Sequence, residues 1–130
     1  MPEVSRMTEE AKKLLYVMTN GPENPDKTYA PIYTAALSAA MEIDTSMYFL
    51  MHAAELLKKG VAETVALKKG GSLKMFIDMA LDNGVKFYVC EESLRDLCNI
   101  EPADVIDGVK VVGTSTLADL ALDADSVVSF

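Results

Sequence analysis

The sequence holds only two cysteines, Cys90 and Cys98, and a single histidine, His52. A small secreted fold usually leans on more disulfides than one pair can give. A structural zinc site normally takes four ligands, so two Cys and one His argue against one within a single subunit, and no metal is expected. Basic residues are also scarce: 12 Lys+Arg face 20 Asp+Glu, for a formal net charge of −8. That balance argues against general nucleic-acid binding, which needs a basic stripe to neutralise phosphates. No stretch approaches the ~18–20 uninterrupted apolar residues of a membrane span. The opening MPEVSRMTEEAKK carries charges and no apolar core, so no secretory signal is expected. Together these absences predict a cytoplasmic protein with reduced or transiently oxidised thiols. The phosphate loop GxxxxGKS/T, the dinucleotide fingerprint GxGxxG, the elbow GxSxG and the zinc helix HExxH are all missing. Lys69-Gly70-Gly71-Ser72 only superficially resembles a phosphate loop and reads as a flexible connection.

Half of the 130 residues are hydrophobic and a quarter are charged, a balance that suits one domain over residues 1–130. Short apolar runs alternate with amphipathic stretches. The runs at 14–18, 45–51, 85–90, 109–113 and 126–130 read as strands. Between them, helices are predicted from Thr28 to Met41, with Pro31 in the first turn, and from His52 to Gly60, with a glycine cap. Two more follow Ser72 and span Leu94 to Ile100, and a last one is capped by Thr114 or Ser115 and runs through Ala124. Val61 to Leu67 is either a short helix or irregular. Five strand–helix repeats predict a three-layer, doubly wound, mostly parallel five-stranded sheet of flavodoxin-like type. Ligands of such sheets bind beyond the carboxyl ends of the strands. That rule gathers Asn20, Gly21, His52, Cys90 to Ser93, and Gly113 to Ser115 on one edge.

Cys90 is the most informative of these residues. It closes the strand VKFYVC and precedes a polar turn into a helix. The positive end of that helix favours a thiolate, while Glu91 and Glu92 oppose a second anion. A buried, inert cysteine is the competing reading. Cys98 is either core, sharing a helical face with Leu94 and Leu97, or a resolving thiol for Cys90, which requires Cα atoms within roughly 7 Å. His52 is either a base or donor for a thiol or a partly buried structural residue. Ser93 and Thr114 sit at helix starts, where capping explains them and an anion would also be held.

The strand Gly-Val-Lys-Phe-Tyr-Val-Cys, the second cysteine after seven intervening residues, the segment Asp-Val-Ile-Asp-Gly-Val-Lys-Val-Val-Gly and the closing Ala-Asp-Ser-Val-Val-Ser-Phe together resemble the DsrE/DsrF-like family. The resemblance runs from Lys13 to Phe130, including Tyr-Phe-Leu-Met-His-Ala-Ala-Glu-Leu-Leu-Lys-Lys-Gly. The cysteine spacing is similar to the subgroup found beside rhodanese and TusA-like genes in sulfur oxidisers. The resemblance implies sulfur trafficking without a cofactor. Cys90 would accept sulfane sulfur as a persulfide or thiosulfonate, and Cys98 would match the family's second cysteine. Their place on the predicted edge, rather than the resemblance, makes His52, Glu91, Ser93, Asn20 and Gly21 the candidates to line the substrate site. TusA-like or rhodanese-like partners and a homotrimer or homohexamer would follow. A peroxiredoxin-like redox protein, a non-catalytic oligomeric binding module and a flavodoxin-like nucleotide binder stand as alternatives.

Overall fold

Each of the five apolar runs becomes a strand. The structure is a computed structural model that describes residues 12–68 and 70–130. The opening segment read as free of a signal, and Lys69 of the Lys69–Ser72 connection, lie outside the described residues. The strands are β1 (Lys13–Met18), β2 (Asp44–Phe49), β3 (Lys86–Cys90), β4 (Val109–Val112) and β5 (Ser126–Ser129). They form one sheet in the order β4-β3-β2-β1-β5, and every pairing is parallel. This is the five-stranded sheet expected, parallel throughout, although its order differs from the 2-1-3-4-5 of flavodoxin.

That order decides where the helices go. From β1 to β4 each crossover steps the same way across the sheet, so right-handed connections stay on one face. The last crossover turns back past β1 to reach β5, and its helix falls on the opposite face. Accordingly, α1 (Tyr29–Ala40) and α2 (Leu73–Asp82) pack on the larger core, and α3 (Thr114–Asp123) packs on the smaller one. Strand alternation assigns side chains to these faces. Tyr16, Met18, Met47, Phe49, Phe87 and Val89 enter the larger cluster. Leu15, Tyr48 and Cys90 form the smaller one, covered by Leu117, Leu120 and Ala121 of α3. Among the described residues no helix is long and apolar enough to cross a membrane.

Three local expectations change. The short helix expected after β2 is a 3-10 helix, Met51–Leu57, and it ends at Lys58 rather than running to a glycine cap at Gly60. Its buried residues Ala53, Ala54, Leu56 and Leu57 recur at a spacing of three, the period of a 3-10 helix. It stops because Lys58 turns extended and the Leu57 carbonyl accepts the Ile106 N–H at 2.9 Å. The segment after β3 widens into a π turn, Ser93–Leu97. Cys98 N–H donates to the Ser93 carbonyl, five residues back, at 3.0 Å. The wider turn rotates Leu97 away from the buried Leu94, leaving Leu97 exposed and Cys98 half-buried, so these three do not share one core face. Finally, Gly113 occupies the N-cap position of α3, and Thr114 is its first helical residue rather than its cap.

Candidate functional site

Cys90 is the last residue of β3 and points into the smaller core, where only 2% of it is exposed. Helix begins at once, at Glu91. The Cys90 side chain therefore stands where an N-cap oxygen would stand, and the Ser93 N–H donates to its sulfur at 3.5 Å. From the start of α3, Thr114 Oγ1 lies 3.5 Å from the sulfur. The thiol reaches Glu92 Oε1 at 3.8 Å. Thr114 donates its hydroxyl to Glu92 Oε2 at 2.9 Å and its N–H to the same oxygen at 3.4 Å. Tyr48, fully buried, donates to the Gly113 carbonyl at 3.0 Å.

The acidity of Cys90 follows from this shell. Burial opposes the thiolate most strongly of any single influence. The Ser93 hydroxyl, the Thr114 hydroxyl, the Ser93 N–H and the Tyr48 hydroxyl together outweigh it and hold the thiol below its ordinary value. Tyr48 is pushed the other way, first by burial and then by the Cys90 charge, so it keeps its proton and remains a donor. The acidic pair splits its roles. Glu91 bonds Arg95 Nε at 3.2 Å, one helical turn on, and so is an ion-pair partner rather than a neighbour of the thiol. Glu92 turns to Thr114, and its carboxyl is held below the usual range by its own N–H first and then by the Thr114 hydroxyl and N–H.

The other expected residues assemble elsewhere on the same edge. His52 Nδ1 lies 2.9 Å from Glu55 Oε2. His52, Glu55 and Cys98 each bring a ligating atom within 4.8 Å of the others. The Cys98 thiol donates to the Met51 carbonyl at 3.6 Å and packs against the larger core. It therefore belongs with His52, on the face of the sheet opposite Cys90. Burial, then the Glu55 and Glu23 carboxylates, push its pKa up. Gly21 is pressed onto this group: a Cβ there would sit 2.1 Å from the His52 carbonyl oxygen. Asn20 Oδ1 accepts from Asn24 Nδ2 at 3.1 Å and steadies the same loop. Ser93 joins the two groups. Its N–H meets Cys90, and its Oγ accepts the Met51 N–H at 2.9 Å.

The sequence thus brought Cys90, Glu92, Ser93 and Thr114 to this edge but did not point to Tyr48 as part of this shell. The signal for Tyr48 is strand parity. Phe49 pairs with Val89 in the parallel register, so Tyr48 shares the face of Tyr88 and Cys90.

The sequence profile described as the DsrE/DsrF-like family matches residues 12–130. An uncharacterized protein of Methanocaldococcus jannaschii is 28% identical over 104 residues, which cover 80% of this chain and 38% of that protein. The chain therefore spans about two fifths of the length of this curated relative. Among solved structures, the ychN protein from E. coli is similar with a TM-score of 0.77 and 20% identity, over 92% of this chain and 99% of that one. A conserved protein of unknown function from Bacteroides thetaiotaomicron is similar with a TM-score of 0.69 and 13% identity, over 92% and 95% of the two chains. At these identities the two structures speak for the fold.

Proposed function

Because the chain belongs to the DsrE/DsrF-like family, a family associated with sulfur relay, we propose that it carries sulfane sulfur on Cys90 and passes it to a partner thiol. The observation that carries this reading is the Cys90 sulfur at the start of a helical segment, ringed by donors that lower its pKa. A thiolate is the attacking form, and its rate depends on its ionised fraction and access. In the first step the Cys90 thiolate attacks the outer sulfur of a donor persulfide, R–S–SH. The donor S–S bond breaks, a Cys90–S–SH bond forms, and R–S⁻ leaves. In the second step an acceptor thiolate takes the outer sulfur by the same exchange and returns Cys90 as thiolate. Neither step changes the overall oxidation state. With tetrathionate as donor, thiosulfate is the leaving group and Cys90 holds the thiosulfonate. The Ser93 N–H and the Thr114 hydroxyl, each 3.5 Å from the Cys90 sulfur, would act as donors toward the terminal anion of the adduct, the outer sulfur of a persulfide or the sulfonate oxygens of a thiosulfonate.

The partners this reading calls for are TusA-like or rhodanese-like proteins and further copies of the chain, as a homotrimer or homohexamer. The exposed Tyr33, Leu37 and Met41 support self-association, since they recur every four residues along and just past the uncharged α1. A monomer by light scattering would remove that part of the reading.

Burial of Cys90 favours a second reading, a binding module in which the thiol is packed and does no chemistry. Intact-protein mass spectrometry separates the two. After exposure to polysulfide, thiosulfate or tetrathionate, a sulfur carrier gains one adduct on the Cys90 peptide. Cys90→Ser abolishes loading in a folded protein, and Cys98→Ser retains it. Loading that persists in Cys90→Ser overturns the assignment, and no loading on an unreactive thiol leaves the binding module.

A further inference from the structure

We propose that His52, Glu55 and Cys98 form a zinc-binding site with an open fourth position, separate from the Cys90 shell and independent of the sulfur-relay reading. Their ligating atoms already lie within 4.8 Å of one another. Ligands held ~2.0–2.3 Å from a tetrahedral zinc stand roughly 3.3–3.8 Å apart, so closing the site takes only about an ångström of side-chain movement.

Two irregular helices make the juxtaposition. In a 3-10 helix, residues three apart eclipse, so Met51–Leu57 stacks His52 directly over Glu55. The π turn Ser93–Leu97 then delivers Cys98 beside them. Left-handed backbone flanks the cluster on both sides, at Met51 (φ 55°) just before His52 and at Asn99 (φ 56°) just after Cys98. Asn99 takes this conformation as helix-ending asparagines commonly do, whereas Met51 is held in it by its surroundings.

The donor set selects the metal. Thiolate, imidazole and carboxylate in a small tetrahedral arrangement suit zinc, a borderline-soft ion, better than the oxygen-seeking magnesium or calcium. The count of two Cys and one His argued against a closed four-ligand site in one subunit. An open site needs only three protein ligands and completes itself with water or a partner's group. His52 is exposed, and Glu55 and Cys98 are half-buried, so an ion reaches them from solvent. Bound metal would tie the turn after β2 to the turn after β3, next to Ser93.

The test is titration of metal-free, full-length protein with Co²⁺, followed by Zn²⁺. One equivalent of Co²⁺ should give a thiolate-to-cobalt charge-transfer band, and Zn²⁺ should displace it. Cys98→Ser should abolish the band. His52→Gln and Glu55→Gln should each weaken binding at least about tenfold, while Cys90→Ser leaves the spectrum intact. Circular dichroism of each variant establishes that it folds, and Cys98→Ala serves should Cys98→Ser not. Absence of a stoichiometric band overturns the proposal, as does a band that survives loss of Cys98 or vanishes with Cys90. Unchanged affinity in both the His52 and Glu55 variants overturns it too, leaving that pair as an ordinary surface ion pair.

Discussion

Thr114 donates its hydroxyl to Glu92 Oε2 at 2.9 Å, and both side chains also meet the buried Cys90 sulfur. This contact joins the start of α3 to the turn after β3, 22 residues apart in sequence. It decides how the acidic Glu91-Glu92 pair affects the thiol. Glu92 spends its charge on the Thr114 hydroxyl and N–H, and Glu91 spends its charge on Arg95. The Ser93 N–H and hydroxyl face the sulfur, and the Thr114 hydroxyl is shared between it and Glu92, so these donors favour the thiolate.

The first prediction is a depressed alkylation midpoint. The pH profile of Cys90 alkylation should have its midpoint below the ordinary thiol value, because burial, the largest single influence, is outweighed by the Ser93, Thr114 and Tyr48 donors. Thr114→Val, which removes one donor at constant shape, should raise that midpoint. The linkage sign follows. The folded value is depressed, so between the folded and unfolded values the unfolded state holds the extra proton and stability rises with pH. The contribution is complete above the unfolded value and is lost as pH falls through the folded one. Urea midpoints of wild type and Cys90→Ser should therefore diverge as pH rises through this window. A pH-independent difference would mean that folding does not lower the Cys90 pKa.

Ser93 is buried and bonded on two sides, to Cys90 through its N–H and to Met51 N through its Oγ. Ser93→Ala leaves the Met51 N–H without its acceptor, at a cost of about 1–3 kcal/mol. The drop in Tm should be on the order of 3–10 °C for a domain of this size. The Cys90 midpoint should rise in the same variant, since the Ser93 hydroxyl is lost. A change in Tm without a change in the midpoint would make Ser93 a purely structural tie.

Gly21 separates close approach from backbone strain. A Cβ there would meet the His52 carbonyl oxygen at 2.1 Å, and the obstacle is backbone that cannot swing aside. Gly21→Ala should cost about 1–3 kcal/mol, read as a lower urea midpoint at unchanged slope. Gly60, at φ +88° with nothing near its Cβ position, supplies the comparison. Gly60→Ala should cost about 1–2 kcal/mol from strain alone and leave the His52–Glu55 contact undisturbed. Equal effects of both substitutions on the His52 ring resonances would refute the contact.

Much of this architecture was legible in local sequence. Asn20-Gly21-Pro22, Asn83-Gly84 and Gly108 bound the apolar runs, so strand positions followed from punctuation. The end of β3 at Cys90, with polar residues beyond it, marked the candidate edge. Other features were set by contacts between distant segments. Ala53, Ala54, Leu56 and Leu57 are compatible with either an α or a 3-10 turn, and pairing of the exit with Asp104 and Ile106 settles it. The π turn moves Cys98 toward His52, and no periodicity rule anticipates one inserted residue per turn. The sequence placed Cys90 and His52 on one edge and left the position of Cys98 open, but only strand order and parity divide that edge between two faces and set Cys98 beside His52.

Tyr48 offers the last prediction, because its phenol touches the site from beneath. It is fully buried, donates to the Gly113 carbonyl at 3.0 Å and also favours the Cys90 thiolate. Tyr48→Phe keeps the ring packed in the smaller core and removes only the hydroxyl. Losing the bond to the N-cap carbonyl of α3 should cost about 0.5–1.5 kcal/mol. The thiolate loses a donor, so the Cys90 midpoint should shift upward. Because Tyr48 keeps its own proton, raised first by burial and then by the Cys90 charge, it acts as a fixed donor and takes no part in the titration. The upward shift should therefore be a simple displacement of the profile, with no second inflection. A second inflection lost in the Phe variant would show that Tyr48 itself ionises, and the account of this shell would have to be redrawn around a shared proton.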